Sequence, residues 1–186
     1  MATGTTRATI DDLYGVEGKA ELIGGRIVRF MASGHLPSRV ATNIFISQRA
    51  YTKHVGAGHA YADGLGYSIP ELPSGRESFQ PDASCHYLPL PKNPMRFVDG
   101  SPNFAAEVRS ENDYGHAAEL EMAAKRDDYF AARTQVVWDV DPEAETVTKY
   151  RAADPANPVV FHMGDIADAE PAVPGWKIAV ADIFAD

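Results

Sequence analysis

The chain has 186 residues, 45% of them hydrophobic, and a formal net charge of −9. This length favours one domain, and the hydrophobic content supports a folded core and argues against a disordered protein. The negative charge weighs against a protein that neutralises nucleic-acid phosphates over a wide surface. The single cysteine, Cys85, excludes an intramolecular disulfide and a thiolate zinc site within one chain, and it favours a reducing, cytoplasmic compartment.

Neither a targeting segment nor a membrane segment is predicted. Residues 1–11 contain one arginine and no apolar run, unlike a signal peptide, and no stretch reaches the length of a membrane helix. We therefore expect one cytoplasmic domain over residues 1–186, with a core at about 20–151 and a C-terminal extension at 152–186.

The first third of the chain predicts a helix start, a hairpin and a long helix. Thr9 is placed to cap a short helix at 9–15. The sequence Gly24-Gly25 between two apolar runs, at 20–23 and 26–30, is typical of a tight hairpin turn.

A longer helix follows at about 36–54. Pro37 fits its first turn, and Leu36, Val40, Ile44 and Tyr51 are predicted on one apolar face.

The middle of the chain predicts strands around an irregular segment. Residues 58–70 indicate a strand with a bulge or bend, and 82–87 a short strand. Four prolines make 88–102 largely irregular, and 104–109 is a strand. A helix at about 115–133 follows, with Asn112 or Asp113 as its predicted cap.

The remaining segments complete a mixed sheet. Residues 135–140 and 146–151 predict a hairpin, and 159–161 and 178–180 give weaker strand signals. The strand–helix–strand order around the helix at 115–133 predicts a right-handed crossover between parallel strands. The predicted fold class is α/β, or α+β: a mixed sheet flanked by helices, with additional β-hairpins.

Two carboxylates mark the candidate site. Strand alternation places Glu107 and Arg109 on one side of their strand, and Asp82 on the face that carries Ser84 and His86. If the two strands pair in register, Asp82 and Glu107 converge, and a Mg²⁺ ion would relieve their repulsion. Alternatively, Asp82 is a turn residue, and Glu107 takes Arg109 as its partner.

The helix at 115–133 adds a cation. Ala118, Met122, Lys125 and Tyr129 are spaced by four, three and four residues, so Lys125 is predicted to point inward toward the carboxylates. The alternative is a lysine that snorkels to solvent or pairs with Glu121 on its own helix.

Five motifs occur in chain order. They are Ala20-Glu21-Leu22-Ile23-Gly24-Gly25-Arg26-Ile27-Val28, Gln80-Pro81-Asp82-Ala83-Ser84, Ala106-Glu107-Val108-Arg109-Ser110, Lys125 with Tyr129, and Val136-Val137-Trp138-Asp139-Val140-Asp141-Pro142. This ordered set resembles the Uma-type family of restriction endonucleases, within the PD-(D/E)XK nuclease superfamily, over about residues 21–150.

The resemblance implies a restriction-endonuclease-like core in which Asp82 and Glu107 bind a metal ion. The usual lysine of the superfamily lies two residues after the second acid, where this chain has Arg109, and the resemblance assigns its role to Lys125. Arg109 stays protonated and cannot act as a base. The family often has Ser-Pro after the second acid, whereas this chain has Ser110-Glu111.

Two further positions match the family pattern. The resemblance implies an accessory role for Glu21, which on its own is expected to be a solvated hairpin residue. His35 is a minor candidate for a phosphate contact, and its alternative is a structural role at the helix start.

Together these features predict a Mg²⁺-dependent (or Mn²⁺-dependent) DNA endonuclease. Asp82, Glu107 and the Val108 carbonyl would hold the metal, and Lys125 would act on the phosphate or water with Arg109 assisting. A homodimer is expected, because two-fold symmetry suits cleavage of both strands. The alternatives are an inactive binding or assembly module with this fold, and a hydrolase of a small phosphorylated substrate bound in a deep closed pocket.

Overall fold

The computed structural model describes residues 7–186. The first six residues of the N-terminal segment, in which no signal peptide is predicted, therefore lie outside the described residues. The helices are α1 (Ile10–Leu13), α2 (His35–Val55), α3 (His116–Ala131) and α4 (Val180–Phe184). The strands are β1 (Ala20–Ile23), β2 (Arg26–Arg29), β3 (His59–Ala62), β4 (Tyr67–Ser68), β5 (Ser78–Phe79), β6 (Ala83–His86), β7 (Val98–Asp99), β8 (Phe104–Val108), β9 (Val136–Asp141), β10 (Thr146–Arg151), β11 (Asp154–Phe161), β12 (Ile166–Asp168) and β13 (Lys177–Ala179).

A six-stranded sheet forms the centre of the fold, in the order β11-β10-β9-β8-β6-β3. The neighbours β8 and β9 are parallel and are joined by α3, whereas the other neighbouring pairs are antiparallel. Helix α2 packs on one face of this sheet, against Ala106 and Trp138. Tyr129 of α3 packs on the opposite face, with Ala105 and Val137. The predicted mixed sheet flanked by helices is confirmed.

Helix α2 follows its sequence pattern closely. Val40 and Ile44 are fully buried one turn apart, and Gly56 ends the helix with φ 67°, a left-handed conformation that glycine adopts without a steric penalty. Leu36, which was predicted on the same apolar face, is 37% exposed in the first turn of the helix.

Two local predictions are wrong. Residues 58–70 form the separate strands β3 and β4 with a turn between them, where Gly64 has φ 104°, and β4 pairs with β5 and β7 instead of the central sheet. Helix α3 begins after Gly115, and no side chain in the described part of the chain, 7–186, caps its N-terminus. Asp113 instead accepts a hydrogen bond from the Ser110 backbone N–H at 2.7 Å and so closes the turn before the helix.

The C-terminal segment, 152–186, completes the main core. Strand β11 is an edge strand of the central sheet, and Trp176 stacks on Trp138 with 5.1 Å between ring centroids. Ile183 of α4 is fully buried in the same cluster. Over residues 7–186, no helix combines the length and apolar character needed to cross a bilayer.

Candidate functional site

Asp82 and Glu107 lie on neighbouring antiparallel strands. Ala83 of β6 pairs with Ala106 of β8, so one further step in register brings Asp82 opposite Glu107. The Val108 backbone N–H donates a 2.8 Å hydrogen bond to Asp82 Oδ2, which fixes this carboxylate beside the end of β8. The convergence predicted from strand alternation is therefore present.

Helix α3 supplies two donors to Glu107. Lys125 Nζ lies 2.8 Å from Glu107 Oε2, and the Tyr129 hydroxyl donates to Oε1 over 2.6 Å. The Lys125 side chain is only 19% exposed, so it points inward, as its helical spacing predicts. Tyr129 belongs to the predicted inward stripe, but the sequence alone gave no reason to pair its hydroxyl with Glu107.

Glu21 is fully buried at this cluster. One carboxylate oxygen accepts a 3.0 Å hydrogen bond from the Gln80 backbone N–H and lies 3.2 Å from Lys125 Nζ, and the other is paired with Arg76. The expectation that Glu21 is a solvated hairpin residue is wrong. The reason is tertiary, because β1 docks on the segment before β6, where Leu22 N–H donates to Ser78 Oγ at 2.7 Å.

Lys19 is a further cation at the site that sequence reasoning missed. Its Nζ lies 2.6 Å from Asp82 Oδ1 and 3.1 Å from Asp63 Oδ1, and its side chain is 18% exposed. Lys19 precedes β1 by one residue and is two residues from Glu21. Strand alternation from Glu21 was the signal that would have placed it on the same side.

Burial and neighbouring charges shift the pKa values of Glu107, Glu21 and Lys125 from their ordinary values. Burial raises the pKa of Glu107; Asp82 adds to this effect, and Lys125 opposes it. Burial disfavours the charge on Glu21 as well, but Lys125 and Arg76 outweigh it and lower the pKa of that carboxyl.

Lys125 keeps its proton. Its burial opposes the charge, but Glu107 and Glu21 outweigh burial and raise the pKa of Lys125. With a pKa above the ordinary lysine value, Lys125 is suited to stabilise negative charge and unsuited to accept a proton near neutral pH.

Arg109 does not join this cluster. Its guanidinium forms two 2.8 Å hydrogen bonds with Asp139 and also pairs with Glu119 of α3, and these carboxylates raise its pKa. Asp139 lies beside Glu107 in the parallel register of β8 and β9, so Arg109 binds this neighbour instead of Glu107. The alternative interpretation, in which Glu107 takes Arg109 as its partner, is wrong.

His35 is the exposed first residue of α2, and among residues 7–186 it makes no side-chain hydrogen bond or ion pair. It lines a shallow groove with Ser38 and Thr42. These two residues also line an adjacent cavity of about 230 Å³ whose wall includes Asp63 and Asp82. His35 thus lines the groove next to the Asp82 cavity, but it does not contact Asp82 or Glu107.

The donor chemistry fits a hard divalent cation. Carboxylates and backbone carbonyls are ligands that Mg²⁺ accepts, with water completing the coordination, and Asp82, Glu107 and the Val108 carbonyl are of this kind. Over residues 7–186, no three His, Cys, Asp or Glu side chains are arranged to hold a metal ion by themselves. Of these ligands, Asp82 has one carboxylate oxygen hydrogen-bonded to Lys19, and Glu107 has one hydrogen-bonded to Lys125.

The charges around the site leave an excess of two negative charges. The carboxylates are Glu21, Asp63, Asp82, Glu107 and Asp128, and the cations paired with them are Lys19, Arg76 and Lys125. One divalent cation would balance this excess.

Comparisons with known proteins identify the family and the fold of the chain. The Uma2 family, described as "Putative restriction endonuclease", matches residues 8–181, so the chain belongs to this family. The resemblance found in the sequence motifs is thereby confirmed.

The fold is shared with a solved structure, "a putative nuclease belonging to DUF820" from Anabaena variabilis ATCC 29413. The TM-score is 0.73, with 19% sequence identity over 95% of this chain and 97% of that chain. No curated protein matches the chain significantly. Family and fold together define a nuclease-like protein.

Proposed function

We propose that this protein is a Mg²⁺-dependent endonuclease that hydrolyses phosphodiester bonds in DNA. The observation that carries the proposal is the cross-strand placement of Asp82 opposite Glu107, with Lys125 hydrogen-bonded to Glu107. This combination of acids and a protonated lysine lies in a chain that belongs to the Uma2 family, described as "Putative restriction endonuclease".

Asp82, Glu107 and the Val108 carbonyl would hold Mg²⁺ or Mn²⁺. When bound, such an ion polarises a phosphate oxygen and lowers the pKa of a coordinated water. Glu107 is held in place for this role by Lys125 and by the Tyr129 hydroxyl, and Asp82 by the Val108 N–H.

Lys125 would stabilise the negative charge that develops on the phosphate. Its ammonium is already oriented between Glu107 and Glu21, so little reorganisation is needed when substrate arrives. Glu21 has a positioning role, since it contacts Lys125 and Arg76 from the buried side of the site. Arg109 has no part in this proposal, because its partners are Asp139 and Glu119.

A homodimer is part of the proposal. Cleavage of both strands of a duplex is simplest with two active sites related by two-fold symmetry, because the two strands run in opposite directions. The expected substrate is double-stranded DNA, in accord with the description of the family.

One observation favours a non-catalytic alternative. Lys19 and Lys125 already neutralise Asp82 and Glu107, so the cluster is also suited to a purely structural role in a binding or assembly module.

The cavity beside Asp82, at about 230 Å³, is smaller than the roughly 300–1,000 Å³ of pockets that enclose small ligands, which disfavours a small phosphorylated substrate.

Cleavage of supercoiled plasmid in Mg²⁺, Mn²⁺ or EDTA tests the proposal. We expect metal-dependent cleavage by the wild type, and a loss of roughly 10²-fold or more in the Asp82→Asn and Lys125→Met variants. The matched controls are Asp168→Asn and Lys149→Met, which break a 2.9 Å lysine–aspartate pair elsewhere in the fold and are expected to cut normally once folding is verified. Absence of cleavage by the wild type with either metal, or normal cleavage by Asp82→Asn, would contradict the proposal.

A further inference from the structure

The distribution of charge along the chain is uneven. Residues 22–62 contain no Asp or Glu, although the chain has 26 such residues in 186, an average that places about six in a stretch of this length. The same stretch contains five basic residues: Arg26, Arg29, Arg39, Arg49 and Lys53. A protein with a net charge of −9 therefore carries one purely cationic segment.

The cations of this segment are largely free of carboxylates. Arg26, Arg29, Arg49 and Lys53 are exposed, and within residues 7–186 none has a carboxylate oxygen within 4.0 Å. Arg39 is the exception, since it pairs with Asp186. By contrast, the cations of the candidate site are all neutralised by buried or half-buried acids.

The exposed side of α2 leads to the candidate site. Ser38, Thr42, Arg49 and Lys53 are separated by four, seven and four residues, so they follow one side of the helix. Ser38 and Thr42 line the same cavity as Asp82. At 1.5 Å per residue, the distance from Ser38 to Lys53 is about 22 Å, the length of roughly six phosphate steps along one DNA strand.

Strand β2 approaches the site from the other side. Arg29 is paired in register with Ala20, next to Lys19, and the Phe30 backbone N–H donates to the Lys19 carbonyl at 2.9 Å. The Phe30 ring lies 5.7 Å from Lys125 Nζ. The free cations of β2 and α2 thus lie on segments that both reach the Asp82–Glu107 site.

We propose that two groups of cations, Arg26 with Arg29 on β2 and Arg49 with Lys53 on α2, bind the DNA backbone from the two sides of the Asp82–Glu107 site and guide one strand to it. Together these four residues are here called the basic face. This inference rests on the proposed function and specifies where its substrate lies. Phosphates require cations that are not already neutralised, and the Ser38 hydroxyl adds a hydrogen-bond donor near the cavity, whereas the Thr42 hydroxyl donates to the Ser38 carbonyl. The acidic remainder of the surface repels DNA and so favours docking at this face.

Binding of a fluorescein-labelled DNA duplex, measured by anisotropy in EDTA, tests the basic face without any cleavage. The Arg49→Gln/Lys53→Gln variant should bind about tenfold more weakly near 100 mM salt, and the slope of log K against log salt should fall by about two. The Arg26→Gln/Arg29→Gln variant should behave alike. The matched control is Lys92→Gln/Lys177→Gln, which removes two exposed cations outside residues 22–62 and should change binding much less.

The outcomes separate this inference from the nuclease proposal. Unchanged binding by both basic-face variants would overturn the basic face, and so would an equal loss in the control; neither result bears on plasmid cleavage. Failure of the wild type to bind any duplex at low salt would also overturn it. Binding that depends on the basic face, without cleavage in Mg²⁺ or Mn²⁺, would support the docking surface and contradict the nuclease proposal.

Discussion

The ammonium of Lys19 donates a 2.6 Å hydrogen bond to Asp82 Oδ1 and also lies 3.1 Å from Asp63. Burial disfavours the charge on Lys19, but Asp82 and Glu107 outweigh burial and raise its pKa, so Lys19 is protonated at neutral pH. The ammonium of Lys19 is therefore already bound to Asp82, a carboxylate that would bind the metal. Under the proposed function, a metal ion would have to compete with Lys19 for Asp82.

Removal of this competitor should tighten metal binding. For Lys19→Met we expect the affinity for Mn²⁺, measured by isothermal titration calorimetry, to rise about tenfold, because one positive charge next to Asp82 is lost. Lys149→Met, which breaks the pair with Asp168, is the matched control and should leave the affinity unchanged. An unchanged or weaker affinity in Lys19→Met would show that Lys19 does not oppose the metal.

Replacement of Arg109 should affect stability and not cleavage. Arg109→Gln leaves Asp139, 6% exposed, without its bidentate partner, and we expect a loss of roughly 2–4 kcal/mol in the free energy of unfolding. Urea unfolding measures this loss, and plasmid cleavage per folded molecule should stay near the wild-type value. A loss of cleavage in a stably folded Arg109→Gln protein would show that Arg109 has a role in catalysis.

Glu21→Gln should destabilise the fold in a pH-dependent manner. The pKa of Glu21 in the folded state lies below its ordinary value of 4.5, so the ionised carboxylate stabilises the fold above that pH. We expect a loss of roughly 3 kcal/mol at pH 7, because Arg76 and Lys125 lose a buried partner. The difference from wild type should shrink as the pH falls below 4.5, through the folded pKa of Glu21.

Urea unfolding of both proteins from about pH 7 to pH 3.5 measures the effect of Glu21. Glu121→Gln, at an exposed position of α3, is the control and should show little difference at any pH. A constant difference between wild type and Glu21→Gln across this range would contradict the role of the charge.

His86 should make the fold sensitive to acid. Its ring is fully buried between Tyr61 and Tyr67, and among residues 7–186 neither ring nitrogen has a hydrogen-bond partner. Burial, with a smaller contribution from His59, lowers the pKa of His86 to about 4. Between pH 6.5 and 4 the unfolded chain binds a proton that the folded state does not. Stability should therefore fall as the pH falls, by up to about 1.4 kcal/mol per pH unit from this group.

The comparison of His86→Leu with wild type isolates this contribution. The slope of unfolding free energy against pH should decrease between pH 6.5 and 4 in His86→Leu, whereas His54→Gln, at an exposed position, should keep the wild-type slope. An unchanged slope in His86→Leu would show that the buried ring is not the acid-sensitive group.

Local pattern was sufficient for most elements of the fold. Gly24-Gly25 marked the β1–β2 turn, and both glycines have positive φ. The strand–helix–strand order around α3 predicted β8 and β9 as parallel neighbours, and alternation brought Asp82 to Glu107. These features depend on periods of two or 3.6 residues, which are visible in a short window of sequence. The predicted cap of α3 and the single bent strand at 58–70 were wrong, because single turn residues decide such features, whereas the predicted Thr9 cap of α1 is confirmed.

The sequence alone determined the mixed sheet, the two facing carboxylates and the inward lysine. Tertiary structure decided which charges pair: Lys19 with Asp82 across 63 residues, Arg76 with Glu21 across 55, and Arg109 with Asp139 across 30. Ion pairs of this kind depend on how β1 and its neighbours dock against the central sheet. No periodic pattern in the sequence predicts a contact between charges that are far apart along the chain. A buried acid pairs with the cation that the tertiary packing brings nearest.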